Sequence, residues 1–159
     1  MRFNFFLAFI LIFLSENINS EEYIGVVTKI IDGDSVVIIH DNILKKIRLS
    51  YIDAPEISQD YGEDSKIFLA NLLLDKIVLV DTNRKDKYGR YLSDLYIHND
   101  TESIYINAKM IKSGNAWVYR RYRSNTYLIN LENHARSNKI GIWKDENPLE
   151  PWVYRKSYK

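Results

Sequence analysis

The sequence predicts an α+β domain whose sheet is a small five-stranded barrel. Two observations carry this reading. Five short runs rich in Val, Ile, Leu and Tyr are spaced by Gly, Asp and Pro turn signals. Helical spacing enters only between the third and fourth runs and again in the last third of the chain. A length of 159 residues suits one domain with its own core. With 46% hydrophobic and 27% charged residues, intrinsic disorder is excluded. The chain has no Cys, which removes disulfide scaffolds, thiolate zinc sites and thiol catalysis together.

The first element is a processing segment. Met1 and Arg2 give a basic start, Phe3 to Leu14 is apolar except for Asn4, and residues 15–20 turn polar and end in Ser20. Twelve apolar-run positions make about 18 Å of helix, short of the ~30 Å hydrocarbon core of a bilayer. The pattern is that of a signal peptide over residues 1–20, cut after Ser20, with a retained anchor as the alternative. Cleavage would leave a secreted or periplasmic protein with no stable membrane association, expected to be a monomer. The mature domain then spans 21–145.

Within it, 23–31 and 34–40 read as two strands joined at Asp32-Gly33 by a hairpin or bulged turn. Residues 45–52 form a third strand, stopped by Pro55. Residues 62–74 carry Ile67, Ala70 and Leu74 at helical spacing. Lys76–Thr82 and Tyr91–His98 complete the five strands. Asn107 is placed as the cap of a short helix ending at Gly114. Tyr127, Leu131 and Ala135 mark a last helix closed by Gly141. The tail, 146–159, holds Pro148 and Pro151 and reads as irregular.

Chemistry concentrates at three turns. Asp32-Gly33-Asp34-Ser35 can project two carboxylates together, although Asp at a hairpin is also ordinary turn chemistry. An EF-hand is excluded, because the twelfth position from Asp32 is Ile43. Arg48-Leu49 leads to Asp53-Ala54-Pro55-Glu56; on one continuous strand Arg48 and Ile52 would share a face and Asp53 the other. If the first three strands form a meander, Asp34 and Asp53 reach the same end of the sheet. There they could share a hard cation such as calcium, which takes six to eight oxygens. The third turn, Asp86-Lys87-Tyr88-Gly89-Arg90, is basic and aromatic, and an arginine fork matches phosphate oxygens.

Together these motifs resemble the thermonuclease (staphylococcal nuclease-like) family. Ser113-Gly114-Asn115-Ala116 and Gly141-Ile142-Trp143 look like its later markers, and the resemblance spans residues 23–144. It implies an OB-type five-stranded barrel with about three helices. It implies calcium held by the Asp34 and Asp53 carboxylates and the Ala54 carbonyl; some members carry Thr where Ala54 stands. Glu56 would position or deprotonate water, and Arg48 and Arg90 would bind the scissile phosphate. Lys87 and Tyr88 match substrate-binding positions, and so does a later tyrosine, assigned to Tyr122 with Tyr119 as the alternative. The implied activity is calcium-dependent hydrolysis of DNA and RNA, leaving 3′-phosphate ends. The rival reading is a non-catalytic OB-type nucleic-acid-binding module, and a third is a structural or partner-binding envelope protein.

Other features read as packing or solvated surface. His40, His98 and His134 show no ligand spacing, and Trp117 and Trp143 read as core. Trp152 could cover the barrel or be exposed. Arg120-Arg121-Tyr122-Arg123 reads as a phosphate-facing loop. The net charge of +1 argues against a polyanionic partner only until it is divided. Residues 21–107 carry 10 basic and 16 acidic residues, and 108–159 carry 11 and 4.

Overall fold

A computed structural model describes residues 21–158; residues 1–20, where a signal peptide is expected, lie outside them. Strands β1 (Glu21–Ile30), β2 (Ser35–His40) and β3 (Ile43–Leu49) form the expected antiparallel meander. The β2–β3 hairpin turns at Asp41 and Asn42, both with positive φ, a combination that matches the twist of paired strands. The other edge of β1 pairs with β5 (Ile77–Lys85), which pairs with β6 (Tyr91–His98). Strand β6 then returns parallel to β3 and closes a five-stranded mixed barrel. Strand β7 (Ser103–Tyr105) pairs antiparallel with the end of β6, and a two-residue ribbon joins β4 (Ile52–Asp53) to β8 (Trp117–Val118). The expected α+β barrel is therefore present.

Inward positions alternate as a barrel requires: Tyr23 and Val27, Val36 and Ile38, Ile47 and Leu49, Val78 and Val80 are buried. A register shift between Val27 and Lys29 resets the alternation, so that Ile30 is buried as well. Each such side chain contributes about 1.5–3 kcal/mol of burial. Helix α1 (Gly62–Leu73) covers the barrel with Leu69 and Leu73. The expected helix is present, with Leu69 and Leu73 turned inward, while Ile67 and Leu74 are exposed.

Helix α2 spans Ile106–Lys112 and α3 spans Thr126–Ser137. Asn107 is not a cap. It sits inside α2, fully buried; its amide donates to the Ser50 and Ser93 carbonyls and to Asp94, and its oxygen accepts from Leu95 N–H. It thus supplies the backbone of β6 and of the β3–β4 link with partners that strand pairing leaves out. The cap of α3 is Asn125, which accepts from Leu128 N–H, and the helix ends four residues before Gly141. The tail departs most from expectation. It forms a fourth helix, α4 (Pro151–Ser157), with Pro151 at its first turn, where a missing N–H costs nothing.

Asp94 on β6 is buried and accepts from Tyr105 Oη at 2.7 Å and from Asn107. Burial pushes its carboxyl up to about 6, helped by the charge of Asp81 and opposed by the Tyr105 hydrogen bond. The folded state therefore holds this proton more tightly than the unfolded chain, and its contribution to stability falls as pH rises from about 4 to about 6. Asp94→Asn removes that dependence. Its unfolding free energy relative to the native sequence should climb across this window, by a difference on the order of 1–3 kcal/mol at pH 7. A constant offset from pH 4 to pH 7 would contradict the assignment.

Candidate active site

The meander brings the end of β1 beside the exit of β3. In the turn between β1 and β2, Asp34 N–H donates to Asp32 Oδ1, and Leu49 N–H donates to the Asp34 carbonyl. Gly33 lets this turn press against its neighbours: a Cβ there would lie 2.7 Å from those of Ala54 and Ser65. Asp34 is buried; its Oδ2 accepts from Ala54 N–H at 2.7 Å and its Oδ1 from Ser35 Oγ at 3.0 Å. Burial and the adjacent charge of Asp34 lift Asp32 to about 6.

Arg48 joins the two acids that matter most. Its Nε lies 3.0 Å from Asp34 Oδ1, its Nη2 3.0 Å from Asp53 Oδ1, and its Nη1 donates to the Leu49 carbonyl. The expectation that Asp53 faces away from Arg48 is overturned. The strand breaks at Tyr51, which has φ +68°, and the chain restarts as β4 with its alternation reset. Asp53 is 1% exposed. Burial raises its carboxyl, as does the charge of Asp34, while the arginines beside it pull the other way. Two buried carboxylates that repel one another, next to the buried residue Ala54, are a hard-oxygen donor set suited to a cation of calcium's type. Among the described residues no group of three or more His, Cys, Asp or Glu could enclose a metal, so a bound ion would need water or substrate oxygens as well.

The β5–β6 hairpin forms the opposite wall. Asp86 Oδ1 accepts from the N–H groups of Tyr88 and Arg90, and Oδ2 from Arg90 Nε at 2.8 Å. Burial alone would raise Asp86, but its Arg90 and Tyr88 hydrogen bonds outweigh it and hold the carboxyl low. Among the described residues the Nη groups of Arg90 take no protein hydrogen bond, so the outer edge of the fork is available to an anion. Tyr88 stands 71% exposed at the tip, with Lys87 Nζ 4.9 Å from its ring centroid.

These parts line one cleft of ≈ 1080 Å³, which contains Asp34, Arg48, Asp53, Ala54, Glu56, Lys87, Tyr88 and Arg90 together. Both Tyr119 and Tyr122 also line it, so neither assignment displaces the other. Tyr122 Oη accepts from Arg84 and its ring meets Tyr51 edge-on at 4.9 Å. The basic loop divides: Arg121 lines the cleft, but Arg123 is spent on Glu132, a fully buried acid that it shares with Arg136. Most of the cleft's cations (Lys46, Arg48, Arg84, Lys85, Lys87 and Arg90) come from the acidic half of the chain. The division of charge along the sequence is thus not the division in space. Trp117 and Trp143 pack edge-on at 4.3 Å in a second small core, as expected, and Trp152 leans on Trp117 from α4.

Sequence reasoning missed Arg155. From α4 its Nη2 reaches Asp53 Oδ2 at 2.7 Å and its Nη1 reaches Glu56 Oε1 at 2.7 Å and Asp53 Oδ1 at 3.2 Å. Burial draws its basicity down, but the two carboxylates more than reverse that. The only sequence cue was a proline at a helix start followed by aromatic and basic residues.

Residues 46–145 match the family model described as staphylococcal nuclease homologue. A protein of Escherichia coli named uncharacterized endonuclease is 37% identical over 131 residues, 82% of this chain and 84% of its own length. A micrococcal nuclease of Shigella flexneri is 34% identical over 145 residues, 87% of this chain and 83% of its own. Protein ParB of Escherichia coli is 35% identical over 139 residues, 83% and 78% of the two chains.

Proposed function

The chain belongs to the family of staphylococcal nuclease homologues, and we propose on that premise that it is an exported, calcium-dependent nuclease that hydrolyses phosphodiester bonds of DNA and RNA. One observation carries this reading. The acids Asp34, Asp53 and Glu56 and the arginines Arg48 and Arg90, drawn from separate turns and strands, line a single cleft. The names of the relatives, endonuclease and micrococcal nuclease, support it.

In this mechanism the Asp34 and Asp53 carboxylates and the Ala54 carbonyl would hold calcium. When bound there, it would supply positive charge to a phosphate oxygen. The open fork of Arg90 takes the phosphate as its equatorial oxygens gain charge. Arg48 works from beneath; its bonds to Asp34 and Asp53 keep it at the phosphate end of the cleft. Glu56 accepts a proton from the attacking water as the oxygen–phosphorus bond forms. The bond to the 5′ oxygen breaks, that oxygen takes up a proton, and the phosphate remains on the 3′ end. Lys87, Tyr88 and Tyr122 hold neighbouring nucleotides through charge and ring faces, contacts that tolerate any base. Export rests on the Phe3–Leu14 run and its polar flank.

The test uses protein recovered from the periplasm and medium of its host. Mature chains should begin at Glu21, cut single- and double-stranded DNA and RNA with calcium, and stop with chelator. Asp34→Asn should shift the calcium titration of activity to higher concentration. Binding without cutting would favour the rival OB-type module, an intact Met1 would refute cleavage, and an unchanged titration would remove Asp34 from the ligand set.

A further inference from the structure

We propose that helix α4 is a latch on the active site, in which Arg155 occupies the carboxylates of Asp53 and Glu56 until a divalent cation displaces it. The proposal rests on the calcium reading above and adds to it a competitor built into the chain.

The geometry is that of an internal counter-ion. Asp53 Oδ1 already accepts from Arg48 Nη2 when Arg155 adds a second donor, and Oδ2 is taken by Arg155 alone. Both oxygens of the most buried acid of the cleft are thus filled by guanidinium hydrogens. A dication bound to Asp53 would lie beside the Arg155 charge, and the two repel in a partly buried site. Arg48 can keep Oδ1, but Oδ2 takes either Arg155 or the dication, so those two exclude each other there. Arg155 also engages Glu56 Oε1, and so ties up the side chain proposed as the base. One displacement would therefore fill the cation seat and free the base.

The helix is attached as a detachable part. Two hydrogen bonds tie it and its lead-in to the loop after Glu56: Tyr154 Oη donates to the Ser58 carbonyl at 2.9 Å, and Gln59 Nε2 donates to the Leu149 carbonyl ahead of the helix. Trp152 rests on Trp117 with ring centroids 5.8 Å apart. A surface cleft of ≈ 330 Å³ is lined by Tyr154 and Tyr158 on one side and Pro55 and Tyr61 on the other, so solvent reaches the seam beside the helix. The Arg155 side chain is 36% exposed and can move to water without crossing the core.

Calorimetric titration of the mature protein with calcium alone tests this. Arg155→Gln should bind calcium on the order of tenfold more tightly than the native sequence, and Arg155→Lys should lie between them. Tyr154→Phe, which loosens α4 without touching a carboxylate, should shift in the same direction by less, and it carries the test if Arg155→Gln fails to fold. Calcium should change the tryptophan emission of the native protein, and Trp152→Phe should abolish that change. Equal calcium affinities in all variants would overturn the latch and leave the calcium reading standing. Weaker binding by Arg155→Gln would make Arg155 a support of the site and also overturn it. Absence of calcium binding in every variant would remove both.

Discussion

Arg90→Ala and Glu56→Ala should each lower nuclease turnover by about three orders of magnitude or more, the scale of losing a charge-stabilising donor or a general base, while the protein stays folded. The structure separates catalysis from stability at these positions. Arg90 makes one side-chain ion pair, to Asp86 in its own hairpin, and Asp86 keeps the N–H groups of Tyr88 and Arg90 when the guanidinium is gone. A partly exposed pair of that kind contributes about 0–1 kcal/mol. Glu56 is 40% exposed in its side chain and touches Arg155 rather than the core. Single-turnover rates at saturating calcium, with thermal unfolding alongside, read the two effects apart. A rate within about tenfold of the native one, for either variant, would remove that residue from its role. Arg48→Ala is a poorer probe, because it strips a partner from both Asp34 and Asp53 and would mix loss of catalysis with loss of structure.

The contrast between these residues also explains what could be read from the chain. Asp34, Asp53, Glu56 and Arg90 were legible because each belongs to a short turn whose chemistry is local: an Asp-Gly corner, a proline stop, a Gly at positive φ. The convergence of Asp34 with Asp53 followed from the meander, which Val and Ile alternation implied; Arg90 joins them because β6 closes on β3. Three kinds of information were not local. The break at Tyr51 reverses side-chain parity, yet no glycine marks it; a tyrosine holds the left-handed conformation because the Ser50 N–H bond to the Ser93 carbonyl fixes the chain before it, and the Tyr119 N–H bond to its own carbonyl and the β4–β8 pairing fix it after. The inward face of α1 depends on where the barrel lies, and Ile67 and Leu74 are as apolar as the Leu69 and Leu73 that won. Arg155 meets Glu56 across 99 residues of sequence, and only the docking of α4 creates that contact.

Gly62→Ala should disable the site from outside it. A Cβ at Gly62 would lie 1.9 Å from the Glu56 carbonyl oxygen, 2.7 Å from its carbon and 2.9 Å from Ile57 Cα. All three are backbone atoms, so no rotamer change relieves the clash. The segment between them is a double turn, with Gln59 N–H donating to the Glu56 carbonyl and Gly62 N–H to that of Gln59. The turn must therefore move as a unit, carrying Glu56 by about 1 Å, a displacement that costs on the order of 100-fold in rate. The accompanying loss of stability should be about 1–3 kcal/mol, as for other overpacked positions. Gly89→Ala is the control: no atom lies within 4 Å of its Cβ position, and its φ of +79° costs about 1–2 kcal/mol in a surface hairpin. The two variants should thus lose similar stability and differ in rate. Turnover measured well below both melting temperatures decides the matter. If Gly62→Ala kept the native rate and lost only stability, the turn would not be what holds Glu56 against its substrate.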